Sequence, residues 1–152
     1  MVAPDELPLD ISDDEKLARA IFEPFHIKKG KLKSAAFKAP AGRRDVSVNR
    51  VRALKPDECK KKAKAIGNAA KIYQGFAVLT AEVIRELGSD VEDSREEPMY
   101  FGHADIIHDI VLEKGQSAPP EFNLKLQQMA KRSTFYSDPK PDEDTWEGDD
   151  FS

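Results

Sequence analysis

The chain has 152 residues, 39% hydrophobic and 34% charged, a balance that fits one modest core beneath a highly charged surface. No apolar run approaches the roughly 18 residues of a membrane span. The acidic opening MVAPDELPLDISDDE lacks the basic-then-apolar pattern of a secretory signal, and the single Cys59 cannot form an internal disulfide, so the sequence reads as a cytoplasmic protein with no membrane partner.

The net charge of −4 conceals strong segregation. Residues 1–15 carry six acids and no base, and residues 137–152 carry seven acids and one lysine. Between Lys28 and Lys71 stand fifteen bases against Asp45, Asp57 and Glu58, a local charge of +12. A basic centre between acidic ends is the clearest physical signal in the chain.

In chain order, residues 1–11 read as a flexible acidic N-terminus, 12–136 as one domain and 137–152 as a disordered acidic tail. Ser12-Asp-Asp-Glu15 has the pattern of a capping box and predicts a helix over 13–22 with Leu17, Ala20 and Ile21 inward, stopped by Pro24. Gly30 marks a turn among alternating basic and apolar residues, and strands are predicted over 34–38 and 45–49. Pro56-Asp57-Glu58 opens a helix over 56–71. Its narrow seam is Cys59, Ala63, Ile66 and Ala70, with lysines elsewhere around it. A buried strand over 73–79, a helix over 80–87 capped by Thr80 and stopped by Gly88, and an exposed loop over 89–97 follow. The stretch Met99–Glu113 reads as a strand near 101–108, since its β-branched residues suit a pleat, and a last helix is predicted over 120–132. The fold expected is therefore α+β: a small mixed or antiparallel sheet covered by three to four helices, with disordered acidic ends.

Catalytic signatures are missing: there is no G-x-S-x-G elbow, no glycine-rich phosphate loop and no H-E-x-x-H. On a strand, His103 and Asp105 point the same way, and such a pair can hold a water, a phosphate or a metal; the bland reading is a partly buried, hydrogen-bonded histidine. No ligand spacing supplies the three or four donors a metal needs, so no metal or cofactor is expected. Ser34 and Ser47 become nucleophiles only if a base lies beside them in space. Cys59 reads as an inert seam residue, although the helix start and nearby lysines can lower a thiol pKa.

The basic segment has the sharper functional reading. Lys28, Lys29, Lys31, Lys33, Arg43, Arg44, Arg50, Arg52, Lys60, Lys61 and Lys64 can neutralise phosphates, with Phe25, Phe37 and Tyr73 available for base stacking if exposed. The alternative is a solvated basic face that pairs with the protein's own acidic ends. The tail, with Trp146 and Phe151, then either lies in cis on the basic face until a polyanion displaces it or docks into a partner protein.

The segments Ser34-Ala-Ala-Phe-Lys38, Val46-Ser-Val-Asn-Arg50, Leu79-Thr-Ala with Arg85-Glu-Leu-Gly88, and Gly102-His-Ala-Asp-Ile106 together resemble a group of small bacterial proteins of unassigned function, over roughly residues 22–113. Members of that group often carry a Tyr/Phe-Arg-Arg element before the Ser-x-x-Phe segment. Here that position reads Ile21-Phe-Glu-Pro-Phe-His26, without the arginines. The resemblance implies a common pocket for His103, Ser34, Ser47 and Arg50 and brings no reaction with it. Two functions follow. The favoured one is a non-enzymatic cytoplasmic binding or accessory protein whose basic region, 28–71, engages nucleic acid or an acidic protein surface. The alternative is a small enzyme with a pocket centred on His103, acting on a phosphate-containing substrate.

Overall fold

The segment Lys16–Glu23, KLARAIFE, shows how the chain organises itself. Its apolar residues fall on odd and even positions alike, so as a strand it has two faces to bury: Leu17 and Ile21 enter one core, Ala18 and Phe22 another. In the computed structural model this segment is strand β1, not the helix predicted over 13–22. Glu15, the residue read as the far side of a capping box, instead pairs with buried Arg50. The structure describes residues 7–95 and 100–152. The first six residues of the acidic opening, the end of the loop predicted over 89–97 and the first residue of the 99–113 stretch lie outside the described residues.

Along the chain follow β2 (Ile27–Lys28), β3 (Lys31–Leu32), a 3-10 turn (Ser34–Phe37), β4 (Asp45–Arg50), α1 (Pro56–Ile66), β5 (Ile72–Thr80), α2 (Ala81–Glu86), β6 (Asp90–Asp93), β7 (His103–Ile107), α3 (Pro120–Arg132) and β8 (Thr134–Ser137). Six strands form one sheet in the order β6-β7-β4-β1-β5-β8, every neighbouring pair antiparallel. The expected small sheet under three to four helices is thereby corrected to a sheet-rich fold in which a six-stranded antiparallel sheet dominates three short helices. Two edge strands, β6 and β8, account for part of the difference; each is only four residues long, too short for alternation to register. The strand predicted over 34–38 is a 3-10 turn, where Lys38 N–H donates to Ala35 O and Phe37 is buried. Its Ala-Ala pair lacks the β-branched side chains that favour a pleat.

One face of the sheet packs against α2, α3 and the 3-10 turn through Ile84, Phe122, Leu126, Met129 and Phe37. The other carries Phe22, Tyr73, Phe76 and Val78 beneath α1 and the C-terminal segment, with Cys59, Ala63 and Phe151 buried and Trp146 packed against them. The disordered tail is thus corrected as well. Trp146 and Phe151 meet Phe76 edge-on or tilted at 5.8 and 5.2 Å between ring centres, and these aromatic contacts offset the ordering entropy that the polar composition alone does not. The N-terminal arm is anchored too, with Leu7 and Ile11 each buried in one of the two cores.

Helix α1 ends at Ile66, short of the predicted residue 71, with Gly67 at its C-cap. Its buried side is Cys59, Lys60 and Ala63, while Ile66 and Ala70 of the predicted seam are exposed. Gly75 permits the closest strand approach: at φ +145°, a Cβ there would stand 2.2 Å from Tyr136 O of β8. No helix among the described residues is long and apolar enough to cross a membrane.

Candidate functional site

Strands β1 and β4 are neighbours in the sheet, yet they pair only at Leu17↔Arg50 and Ala18↔Asn49. Beyond that point they part, and the gap opens into a cleft of about 350 Å³. Ala18 and Ala20 of β1 supply a low floor, Ser47 and Asn49 of β4 a polar side, and Lys62, Ala63 and Ile66 of α1 a wall, with Tyr100 and Lys71 also lining it. Small side chains on β1 are what leave the space, because larger ones would meet α1.

Arg19 reaches across the parted strands. Its Nε donates to Ala36 O at 2.9 Å and its Nη1 to Ser47 O at 3.1 Å. Both acceptors are carbonyls; no carboxylate pairs with this half-buried guanidinium among the described residues, and burial lowers its pKa to about 10. Lys71 sits 4.6 Å from the centre of the Phe22 ring and Lys62 3.7 Å from that of Tyr100, again without an ion pair among the described residues. Lys71 has a lowered pKa from burial and then from Arg19. Nearby His26 is held down to about 3, first by burial and then by the charges of Arg19, Lys71 and, more weakly, Lys33. The only carboxylate lining the cleft among the described residues, Asp45, is paired with Arg43 at 2.5 Å. Among the described residues, four cations therefore face one carboxylate in a space partly shielded from water, which concentrates positive potential.

Beside this cleft, the register sets Asn49 opposite His103 and Ser47 opposite Asp105. His103, Asp105 and Ser47 consequently share a sheet face. His103 is buried, with Nδ1 hydrogen-bonded to Ser94 Oγ and Nε2 4.0 Å from Asp105 Oδ1. Burial is the first cause that lowers the His103 pKa and raises that of Asp105, favouring the neutral form of each, while their mutual attraction opposes both shifts. No hydrogen bond joins Ser47 Oγ to either group among the described residues. Ser34 is elsewhere, opening the 3-10 turn whose Ala36 and Phe37 enter the opposite core. The common pocket implied for His103, Ser34, Ser47 and Arg50 is corrected accordingly: Ser34 is apart, and Arg50 is locked in an ion cluster. Its Nε meets Glu15 Oε1 at 2.5 Å and its Nη1 meets Asp93 Oδ2 at 2.7 Å.

The polyanion candidates divide by burial. Lys28, Lys29, Lys31, Lys33, Arg44, Arg52 and Lys61 are exposed and form no ion pair among the described residues; Arg43 is exposed beside Asp45. Arg50 and Lys60 are fully buried and cannot meet a polyanion. Lys60 Nζ donates to Lys140 O and Thr145 O and lies 2.9 Å from Asp138, while Lys64 bonds Glu143 O. The acidic tail thus lies on α1 through buried as well as exposed contacts. Of the three aromatics considered for stacking, Phe37 and Tyr73 belong to the cores, whereas Phe25 is 52% exposed beside the β2–β3 hairpin. Cys59 is buried, and burial pushes its thiol up to about 12, the opposite of a reactive cysteine.

Among the described residues, no three His, Cys, Asp or Glu side chains converge where a metal could bind. Sequence reasoning passed over Arg19 and Tyr100, and took in Lys62 and Lys71 only as part of the basic region 28–71. For Arg19 a signal existed: it is the one charge inside the run LARAIF. No protein-family model, no curated protein and no solved structure matches the chain, so the resemblance rests on its own quoted segments.

Proposed function

We propose that the protein is a non-enzymatic binding protein for a polyanion, nucleic acid first, engaged along a basic track from the β2–β3 hairpin to the β1–β4 cleft. The observation that carries this reading is the set of cations without carboxylate partners among the described residues. Lys28, Lys29 and Lys31 are exposed on the hairpin, and Arg19, Lys62 and Lys71 line the cleft. Buried His26, just before the hairpin, feels the charges of Arg19, Lys71 and, most weakly, Lys33, which supports placing hairpin and cleft along one track. The hairpin turn adds support. Lys29 and Gly30 both have positive φ, 53° and 75°, a geometry that favours Asn-Gly, yet the tip carries a lysine. Exposed Phe25 gives the track one stacking surface. A lone buried thiol agrees with a reducing cytoplasm.

The test is a salt titration of full-length protein against single- and double-stranded DNA and RNA. Binding should weaken steeply between about 50 and 200 mM salt, and K28E/K31E should abolish most of it and flatten the slope by roughly two counterions. No binding at the low-salt end removes nucleic acid as the partner and leaves an acidic protein surface as the occupant of the track.

A further inference from the structure

We infer that the β1–β4 cleft is a receptor for a phosphate monoester, either a free mononucleotide or the phosphorylated end of a strand. The strand-end source rests on the polyanion reading above; the site itself does not. The argument begins with charge. Arg19, Lys62 and Lys71 line one cleft of about 350 Å³ with no carboxylate among the described residues to balance them, since Asp45 is occupied by Arg43. A carboxylate or a phosphodiester brings one negative charge, whereas a phosphate monoester brings between −1.5 and −2 near pH 7. Of these three, the monoester comes nearest to neutrality with this set.

Hydrogen bonding points the same way. The Arg19 guanidinium spends two of its five donors on the carbonyls of Ala36 and Ser47, which fixes its plane without satisfying its charge. Tyr100 O–H donates to Asn49 Oδ1 at 2.6 Å, and the Asn49 Nδ2 donors have no acceptor among the described residues. Ser47 has an exposed hydroxyl on the same wall. The site thus offers a planar cation, two flexible ammonium groups, an amide and a hydroxyl, which is donor-rich as tetrahedral oxyanions require. Beyond the charged rim, Ala18, Ala20, Ala63 and Ile66 give the ligand's body an apolar bed. The volume lies at the low end of the roughly 300–1,000 Å³ usual for small-molecule sites, room for one nucleotide and not for a continuous strand.

The experiment uses calorimetric titration of the full chain with inorganic phosphate, AMP, adenosine, and one oligonucleotide bearing either a 5′-phosphate or a 5′-hydroxyl. AMP should bind and adenosine should not, with inorganic phosphate competing. A20L, which fills the floor without altering charge, and K71Q should each weaken AMP about tenfold while circular dichroism stays unchanged. Equal binding of AMP and adenosine, or full AMP affinity in A20L, overturns the site. The two readings fail separately. If the oligonucleotides bind equally well with either end and AMP does not bind, the cleft proposal falls and the polyanion track stands. If AMP binds and neither oligonucleotide does, the track falls and the cleft is a mononucleotide site.

Discussion

Lys60 shows how much a single buried charge depends on its surroundings. Its ammonium is fully enclosed by Asp138 and two tail carbonyls, and Asp138 also accepts from Tyr73 O–H at 2.7 Å. Removing one partner strands the other. Lys60→Met should cost about 3–5 kcal/mol in urea denaturation, whereas the double change Lys60→Met with Asp138→Leu should recover much of it, because a buried ion pair and an apolar pair are close in net energy. A recovery near zero would mean that the tail carbonyls, not the carboxylate, hold the lysine. In the sequence, Lys60 and Arg50 are indistinguishable from their exposed neighbours. What separates them is which residues lie across from them, Asp138 at seventy-eight positions' remove or Glu15 at thirty-five, and composition carries no record of that.

At the level of elements, the chain was legible where one principle acted alone. The strands over 45–50 and 72–80 and the helices over 81–86 and 120–132 fall where alternation, an unbroken apolar run, Thr80 or Pro120 put them. The reading failed where two demands met. β1 is buried on both faces, which erased its alternation and left a pattern resembling a helix. The C-terminal segment is polar on average but pinned by two aromatic rings and by Asp138. That segment behaves as a structural layer, not a removable gate. Deleting residues 138–152 would uncover Phe76 and Tyr136 and leave Lys60 without acceptors. The truncated chain should lose cooperative unfolding by circular dichroism and become protease-sensitive, and tighter polyanion binding by a chain that stays folded would contradict this. Of the candidate site, the shared face of His103 and Asp105 was legible from period-two spacing, whereas Ser47 joins it only through the β4–β7 register. The cleft was not, since it arises from where two strands cease to pair.

On the scale of the whole molecule, protonation offers a global readout. All three histidines are buried, with pKa values lowered chiefly by burial, His26 to about 3. They are neutral in the fold, while in the unfolded chain they take up protons near pH 6.5. As pH falls through that value the unfolded state binds more protons, so stability drops by up to about 1.4 kcal/mol per pH unit for each histidine. Asp105, whose pKa is raised by burial, opposes this only nearer the ordinary carboxylate range. Thermal unfolding should therefore shift steadily downward between pH 7.5 and 5, and a flat profile would mean that the histidines are charged in the fold.

The two-residue pairing of β1 with β4 also has a mechanical meaning. The sheet consists of two three-stranded leaves, β6-β7-β4 and β1-β5-β8, joined along a short crease at Leu17↔Arg50 and Ala18↔Asn49. Arg19 is a strap across that crease, rooted in one leaf and bonded to Ser47 O in the other. Small changes in the angle between the leaves widen or narrow the gap that Arg19 spans, so the cleft is set by the stiffness of a seam and not by a rigid wall. Anything gripping both lips would act as a second strap, and holding it would make the whole sheet stiffer.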